Sequence, residues 1–397
     1  MNALLKQHLI DPEICIRCHT CEEACPIGAI THDDNNVVVD AGKCNFCMAC
    51  ISPCPTGSID HWRVVETPYS LDEQLGWSEL PVQAEVGAGA NVGEAMEDAV
   101  KALLASAHAG AGGAARAPLS AAKPSVNVFS QAQPAVAVVQ GNFRLTAADA
   151  DADVRHIILD FGAQAFPVLE GQSIGILAPG VDAQGRPHHL RLYSVSSPRD
   201  GEKPNRNNLS LTVKREETGV CSNYICDLKK GDEVRVTGPF GTTFLMPEAL
   251  DSHLVMICTG TGSAPFRAFT MRRQRVLAAD TGKNGGMALY FGARTPQSLP
   301  YFGPLAKVPD NLLQKHFAFS RVKGQDKHYV QDIMRQDAQV LATALQSDKS
   351  HIYICGLKAM EAGVEQAFED IARGAGLHWQ PIRDAMRESG RYHVETY

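Results

Sequence analysis

The sequence predicts a multidomain chain: a small cysteine-rich α+β unit, then an antiparallel β-barrel, then an α/β unit built on a parallel sheet. Three observations predict it. The 397 residues exceed what a single core usually spans. Eight of the twelve cysteines crowd into residues 15–54. The hydrophobic pattern then changes near residue 250. Before that point, short alternating runs (VRHIILDF, LSLTVKR, DEVRVTGPF) are separated by Gly and Pro, as in antiparallel strands. After it, strand-like runs lead into helical ones, HLVMICTG into SAPFRAFTMRRQRVLAA and HIYICG into LKAMEAGVEQAFEDIARGAG, the pattern of βα units. The expected boundaries are residues 1–80, a connector at 81–134, then 135–250 and 251–397.

With 44% hydrophobic and 20% charged residues the chain can bury several cores, which excludes collagen-like and wholly disordered classes. It contains no run of eighteen uncharged apolar residues, and Met1–Ile10 carries Lys6 and His8 where a secretory signal needs an unbroken apolar stretch. The expectation is a cytoplasmic protein with no membrane segment. Residues 1–80 hold four Lys/Arg against twelve Asp/Glu, a net of −8, whereas the whole chain carries only −7. Such a unit repels nucleic acid and anionic membrane, and suits a basic protein partner.

Cys15, Cys18, Cys21 and Cys25 precede Pro26, and Cys44, Cys47, Cys50 and Cys54 precede Pro55, so C-x2-C-x2-C-x3-C-P occurs twice, 29 residues apart. PIGAI after the first run matches PTGSI after the second, which makes two pseudo-equivalent halves. Three thiols at successive spacings of three wrap one face of a cuboidal iron–sulfur cluster, and the turn at proline carries the fourth to the other cluster. The expected ligand sets are Cys15, Cys18 and Cys21 with Cys54, and Cys44, Cys47 and Cys50 with Cys25. Two zinc sites are the alternative, but zinc favours two C-x2-C pairs a dozen or more residues apart. Over roughly residues 8–65 the segment resembles bacterial two-cluster ferredoxins. The resemblance implies a ferredoxin-like α+β fold holding two 4Fe-4S clusters that conduct electrons and do no substrate chemistry.

From about Gln83 to Pro134 the composition turns to Ala and Gly and loses nearly all aromatics, so it cannot form its own core. Within it, EAMEDAVKALLASA (Glu94–Ala107) has the spacing of a short helix. A flexible chain of about 50 residues spans roughly 40 Å, so the flanking halves are expected to move independently.

The remaining motifs follow in the order barrel, then α/β unit. Arg191-Leu192-Tyr193-Ser194 lies in the barrel region, with Lys214 and Gly219-Val220-Cys221-Ser222 beyond it. Gly260-Thr261-Gly262-Ser263-Ala264-Pro265 closes one strand and opens a helix, so its amides can cradle a pyrophosphate. Cys355-Gly356-Leu357 follows another strand, and the chain finishes RYHVETY. In these motifs, and over residues 137–397, the chain resembles the ferredoxin–NADP reductase family. The resemblance implies that Arg191 neutralises the FAD pyrophosphate, Tyr193 stacks on the isoalloxazine and Ser194 hydrogen-bonds near its N5. Gly219, Val220, Cys221 and Ser222 would hold phosphate at a helix start, with Lys214 nearby. Thr259, Gly260, Thr261, Gly262 and Pro265 would meet the NADPH pyrophosphate, and Cys355, Gly356 and Leu357 would lie beside the nicotinamide. Ser320, Arg321, Lys327 and Tyr329 match the family's clamp for the 2′-phosphate, where two cations and two hydroxyls suit a dianion. The implied reacting centre is Ser194, Cys258, Glu395 and Tyr397, with Tyr397 laid over the flavin. One departure is the REET loop between Lys214 and Gly219, which lacks the family's adenine-stacking tyrosine.

The expected path therefore runs from NADPH through FAD and two 4Fe-4S clusters to a protein acceptor. No E-x-x-H pair of an oxygen-activating site occurs, so terminal chemistry is expected on a partner. The order of domains and the Ala/Gly-rich connector resemble the reductase components of benzoyl-CoA 2,3-epoxidases, which implies a di-iron epoxidase or oxygenase partner. The alternative is an NADPH–ferredoxin reductase fusion serving a different acceptor.

Overall fold

Two short antiparallel ribbons frame the first unit: β1 (Leu5–His8) pairs with β4 (Trp62–Val65), and β2 (Ile30–His32) with β3 (Val37–Val39). The computed structural model describes residues 5–47, 49–51, 53–59, 62–81, 98–203, 206–279 and 284–397. The 29-residue repeat is written into the backbone. Arg17 and Phe46 both take left-handed φ, 56° and 59°, and Gly28 and Gly57 take 60° and 69°. Each half thus bends around its thiols at the same two points. Ile10, Ile30, Val37, Val39 and Ile59 form the core together with Cys21, on helix α1 (Thr20–Glu23), and Cys50. Helix α2 (Leu71–Leu75) starts in a capping box, in which Ser70 Oγ accepts from the Glu73 N–H at 3.3 Å and the Glu73 carboxylate accepts from the Ser70 N–H at 2.7 Å.

The second unit is the expected barrel. Strands β5 (Ala135–Arg144), β6 (Val154–Asp160), β7 (Ser173–Ile176), β8 (Arg191–Ser194), β9 (Asn208–Lys214) and β10 (Glu233–Phe240) run antiparallel in the order β8-β7-β10-β5-β6-β9. A Val195–Leu211 bridge joins the two outer strands and closes the sheet. Along β5 the alternation is plain: Ala135, Ala137 and Val139 are wholly buried while Val136 and Val138 face out. Helix α4 (Val220–Asp227) lies between β9 and β10.

In the third unit β11 (His253–Thr259), β12 (Met287–Ala293), β13 (Leu313–Phe319), β14 (Ser350–Gly356) and β15 (Tyr392–Thr396) are all parallel. Their order, β13-β12-β11-β14-β15, reverses between β11 and β14, and open α/β sheets bind ligands beyond the strand ends at such a switch point. The connecting helices are α5 (Ser263–Ala279), α6 (Phe302–Ala306), α7 (Val330–Gln336), α8 (Ala338–Gln346), α9 (Glu361–Gly374) and α10 (Trp379–Glu388). Barrel and sheet are latched together. Arg267 donates to Glu202 at 2.8 and 2.6 Å and to the Ser196 carbonyl at 2.8 Å, and the Tyr301 hydroxyl lies 2.6 Å from Thr212 Oγ1. Burial works against the Glu202 charge, yet His156 and Arg267 hold its carboxyl well below the usual range.

The connector departs from expectation. Residues 98–134 are not a free tether but lie on the two larger units. Helix α3 (Asp98–Ala107) buries Val100 and half-buries Leu103 and Leu104 against Leu190, Leu192 and Phe240 of the barrel. These three are one apolar stripe at i, i+3 and i+4. Ala121 then bridges to Pro247 and Phe129 to Gly238. Residues 82–97, including the first turn of the expected helix, lie outside the described residues. The first unit touches the barrel too: the Lys6 N–H donates to the Ala163 carbonyl at 2.9 Å, Leu5 bridges to Gln164, and Lys6 Nζ donates to Asn207. The halves meet through direct contacts, where independent motion was expected. No helix among the described residues is long and apolar enough to cross a membrane.

Candidate functional site

The structure gathers the eight thiols into two quartets. Cys25, Cys44, Cys47 and Cys50 line one small cavity with Ile27, Ala29, Ile30 and Val39. In the other, the thiols of Cys15 and Cys54 act on Cys21, and that of Cys54 acts on Cys18. These are the two sets expected from the sequence, each with its fourth member from the opposite run. Burial pushes Cys21 up to about 11 and Cys50 up to about 12, and neighbouring thiols push the same way. Burial also raises Cys54, but hydrogen bonds from Ser58, Ile59 and Thr56 outweigh it and bring that thiol down to about 7. Four thiolates cannot share an apolar pocket without cationic charge among them, so the donor set fits iron that displaces the thiol protons.

A cleft of about 480 Å³ opens where the barrel meets the α/β unit. Arg191, Tyr193 and Ser194 of β8, Lys214 at the end of β9, and Gly219, Val220, Cys221 and Ser222 line its barrel side. Thr261 and Tyr397 line the other side. Gly219 is the N-cap of α4, and the first N–H groups of a helix lack intrahelical partners, so Val220, Cys221 and Ser222 offer amides to a phosphate. The Ser222 hydroxyl is already engaged, accepting from the Glu216 N–H at 3.1 Å and donating to the Gly219 carbonyl at 3.2 Å. Lys214 Nζ is paired with Glu216 at 2.7 Å. Tyr193 is held neutral by burial and by the Cys221 thiol beside it. A flat aromatic, the Arg191 guanidinium and a helix N-terminus around one slot fit a flavin dinucleotide.

Beyond Tyr397 the C-terminal ends of β11 and β14 touch backbone to backbone. A Cβ on Gly262 would stand 2.2 Å from the Cys355 carbonyl oxygen, and one on Gly356, whose φ is 143°, 2.6 Å from Thr259 Oγ1. Thr259 Oγ1 also accepts from the Leu357 N–H at 3.3 Å. Gly260 and Thr261 form the turn into α5, with Pro265 in its first turn. The chain end is fixed, not frayed: the Tyr397 N–H donates to the Gly356 carbonyl at 3.0 Å, and its hydroxyl lies 2.6 Å from Thr261 Oγ1. Glu395 sits on β15 opposite Cys355, and burial pushes its carboxyl up to about 8. Cys258 is wholly buried beside Cys355 where β11 and β14 pair, its thiol kept protonated by that burial, and both thiols act on the Tyr397 hydroxyl at the cleft wall. Ser320, Arg321, Lys327 and Tyr329 occupy the exposed turn from β13 to α7.

Three segments match known domain families: residues 7–55 a 4Fe-4S dicluster domain, 149–244 an oxidoreductase FAD-binding domain and 256–366 an oxidoreductase NAD-binding domain. The cyanelle ferredoxin–NADP reductase of Cyanophora paradoxa is 40% identical over 288 residues, which is 68% of this chain and 79% of that protein. The chain belongs to the ferredoxin–NADP reductase family. The leaf-type chloroplast reductase of Nicotiana tabacum is 38% identical over 68% of this chain and 79% of its own length. Among solved structures, the Plasmodium falciparum ferredoxin-NADP+ reductase is 26% identical with a TM-score of 0.53, covering 68% of this chain and 99% of that one. The same reductase with 2′P-AMP is 25% identical with a TM-score of 0.54 over 68% of this chain and 99% of that one.

This reductase module has site residues that no sequence motif announced. His188, His189, Thr212, Glu216 and Thr218 also line the cleft. Arg294 stands with Arg321 around Asp151, at 3.3 and 4.0 Å. Thr212 lies on β9 and the others in loops, and only the closed barrel and the stacked strand ends bring them together.

Proposed function

We propose that the chain carries electrons from NADPH through FAD and two 4Fe-4S clusters to a di-iron epoxidase acting on benzoyl-CoA. One observation carries the electron-transfer part. Two thiol quartets and a flavin–nucleotide cleft share one chain, so a hydride donor and one-electron carriers serve a single path. FAD, when bound, supplies the conversion between a two-electron donor and one-electron acceptors.

The chain's own residues would act as follows. Tyr193 and the α4 N-terminus orient the flavin, with Arg191 and Lys214 neutralising its phosphates. The Gly262–Gly356 seam borders the place of the nicotinamide half of NADPH, and Tyr397 keeps water off the flavin until that ring arrives. Arg321, Lys327 and the Ser320 and Tyr329 hydroxyls take the 2′-phosphate, a reading supported by 2′P-AMP in the Plasmodium relative. The acidity of residues 1–80 favours a basic docking face on the acceptor. The benzoyl-CoA epoxidase partner rests on the resemblance in domain order.

The test is reconstitution with a purified di-iron epoxidase, benzoyl-CoA and NADPH. Coupled epoxide formation is expected, with Cys47→Ala abolishing it while NADPH–ferricyanide reduction stays nearly intact. Ferricyanide reduction without any coupling would assign the chain to a different acceptor.

A further inference from the structure

His108 follows directly on α3 and lies outside all three segments that match known domain families. The apolar stripe Val100, Leu103 and Leu104 seats α3 on the barrel and delivers the ring to β15, where it is only 8% exposed. Its Nδ1 lies 3.0 Å from the Val394 carbonyl oxygen. A carbonyl only accepts, so Nδ1 carries the proton and donates, which leaves Nε2 bare. That Nε2 stands 3.7 Å from Oε1 of Glu395. The gap is slightly beyond hydrogen-bond reach, as such pairs often are before a ligand tightens them.

We propose that His108 is a positioning residue for Glu395, its bare Nε2 backing the carboxyl group so that the two side chains hold one proton between them behind the nicotinamide pocket. The inference rests on the reading of Glu395 as a residue at the NADPH–flavin contact. Proton balance gives the pair its work. Oxidation of one NADPH by one-electron acceptors yields NADP+, two electrons and one proton, and that proton is released inside the cleft. When Glu395 passes its proton to His108, an O–H bond breaks, an N–H bond forms and the pair stays neutral overall; the freed carboxylate then takes the released proton, and the pair carries one positive charge until His108 gives its added proton to solvent. A lone buried carboxylate would instead bear its full desolvation cost.

Burial drives both groups toward neutrality, raising Glu395 to about 8 and lowering His108, which suits one proton held in common. The other titratable groups around the pair are Cys355 across on β14, His393 on β15, Lys358 and Glu361 beside α3 and its following turn, and Arg387 of α10, bonded to the Gly113 carbonyl. The connector thus supplies a side chain to the reductase centre as well as a link.

Two variants of the full holoprotein separate the functions of the two ring nitrogens. In His108→Asn the amide can still donate to Val394 while Nε2 is gone; in His108→Gln an acceptor remains near the Nε2 position. We expect His108→Asn to lower kcat for NADPH–ferricyanide about tenfold, the weight of one hydrogen bond to a charged group. KM for NADPH and flavin content should hold. The pH midpoint of kcat should move downward, because the proton the pair held in common loses one of its two holders and leaves at lower pH. His108→Gln should recover part of kcat. A wild-type kcat and midpoint in His108→Asn overturns the proposal. So does an equal loss in both variants at every pH with an unmoved midpoint, which would mean a seat for α3 and nothing more. Glu395→Gln is the separate control. If it leaves kcat unchanged, the reading of Glu395 fails; if it impairs kcat while His108→Asn does not, only this inference fails.

Discussion

Gly262→Ala tests the seam on which the nucleotide half of the site hangs. The new Cβ would lie 2.2 Å from the Cys355 carbonyl oxygen, 2.5 Å from its carbon and 2.7 Å from Gly356 Cα. Ordinary non-bonded contacts begin near about 3.5 Å, so the two strand ends must part by about 1 Å or more. Every atom in the way is backbone, and no side-chain rotation relieves the clash. The parallel pairing of Cys258 with Cys355 and the bond from the Leu357 N–H to Thr259 Oγ1 resist the parting. Overpacking of this kind costs about 1–3 kcal/mol of stability. The larger effect is on turnover, because Tyr397 is tied to Gly356 by its own N–H and Glu395 pairs with Cys355. A displacement of about 1 Å in groups that orient a reacting ring costs on the order of 100-fold. We therefore expect kcat/KM for NADPH with ferricyanide to fall by about that factor, while flavin content stays near wild type because the main flavin wall belongs to the barrel. Gly260→Ala is the control: its φ is 56° and no atom lies within 4 Å of the added Cβ, so it carries backbone strain without parting the strands. Wild-type kcat/KM in Gly262→Ala, or equal losses in both variants, would refute the reasoning.

Three further outcomes follow from the same contacts. Arg321→Ala should raise KM for NADPH far more than for NADH, and Asp151→Asn, which frees Arg321 and Arg294 from their carboxylate, should lower KM for NADPH; steady-state kinetics with both coenzymes decides. Tyr397→Ser removes a ring contact worth about 0.5–1.5 kcal/mol that NADPH must displace, so nicotinamide occupancy should increase and NADH-dependent turnover should rise relative to NADPH, read from a flavin–nicotinamide charge-transfer band and paired rates. Lys6 is pulled down to about 7 by burial, against the opposing charge of Asp160, whereas an unfolded lysine titrates near about 10.4. Between those values the unfolded chain holds a proton that the docked form lacks, so the docked form gains stability as pH rises from about 7 toward 10 and loses that gain below 7. Thermal unfolding of the first unit should therefore shift upward from pH 7 to 9 in wild type, and that rise should vanish in Lys6→Met.

What could be read from the sequence, and what could not, divides along the range of the interactions involved. The thiol quartets were legible because each motif places three ligands within seven residues and the proline turn dictates where the fourth goes; the repeated φ values at Arg17 and Phe46 show the same local rule in the backbone. The flavin and nucleotide motifs were legible for a similar reason, since glycine-rich turns at strand ends leave a pattern wherever backbones must approach closely. The connector misled. Its Ala and Gly content hides that Val100, Leu103 and Leu104 form a single stripe, and a stripe of three becomes meaningful only once the barrel presents Leu190, Leu192 and Phe240 to it. A solitary histidine at the end of such a segment carries no signal at all in one dimension. It acquires one when folding places it against β15, 286 residues away in sequence, with one nitrogen on the Val394 carbonyl and the other toward Glu395. A segment that composition assigns to mere spacing can therefore contribute to the chemistry it spans, provided that a few apolar side chains fix where it lies.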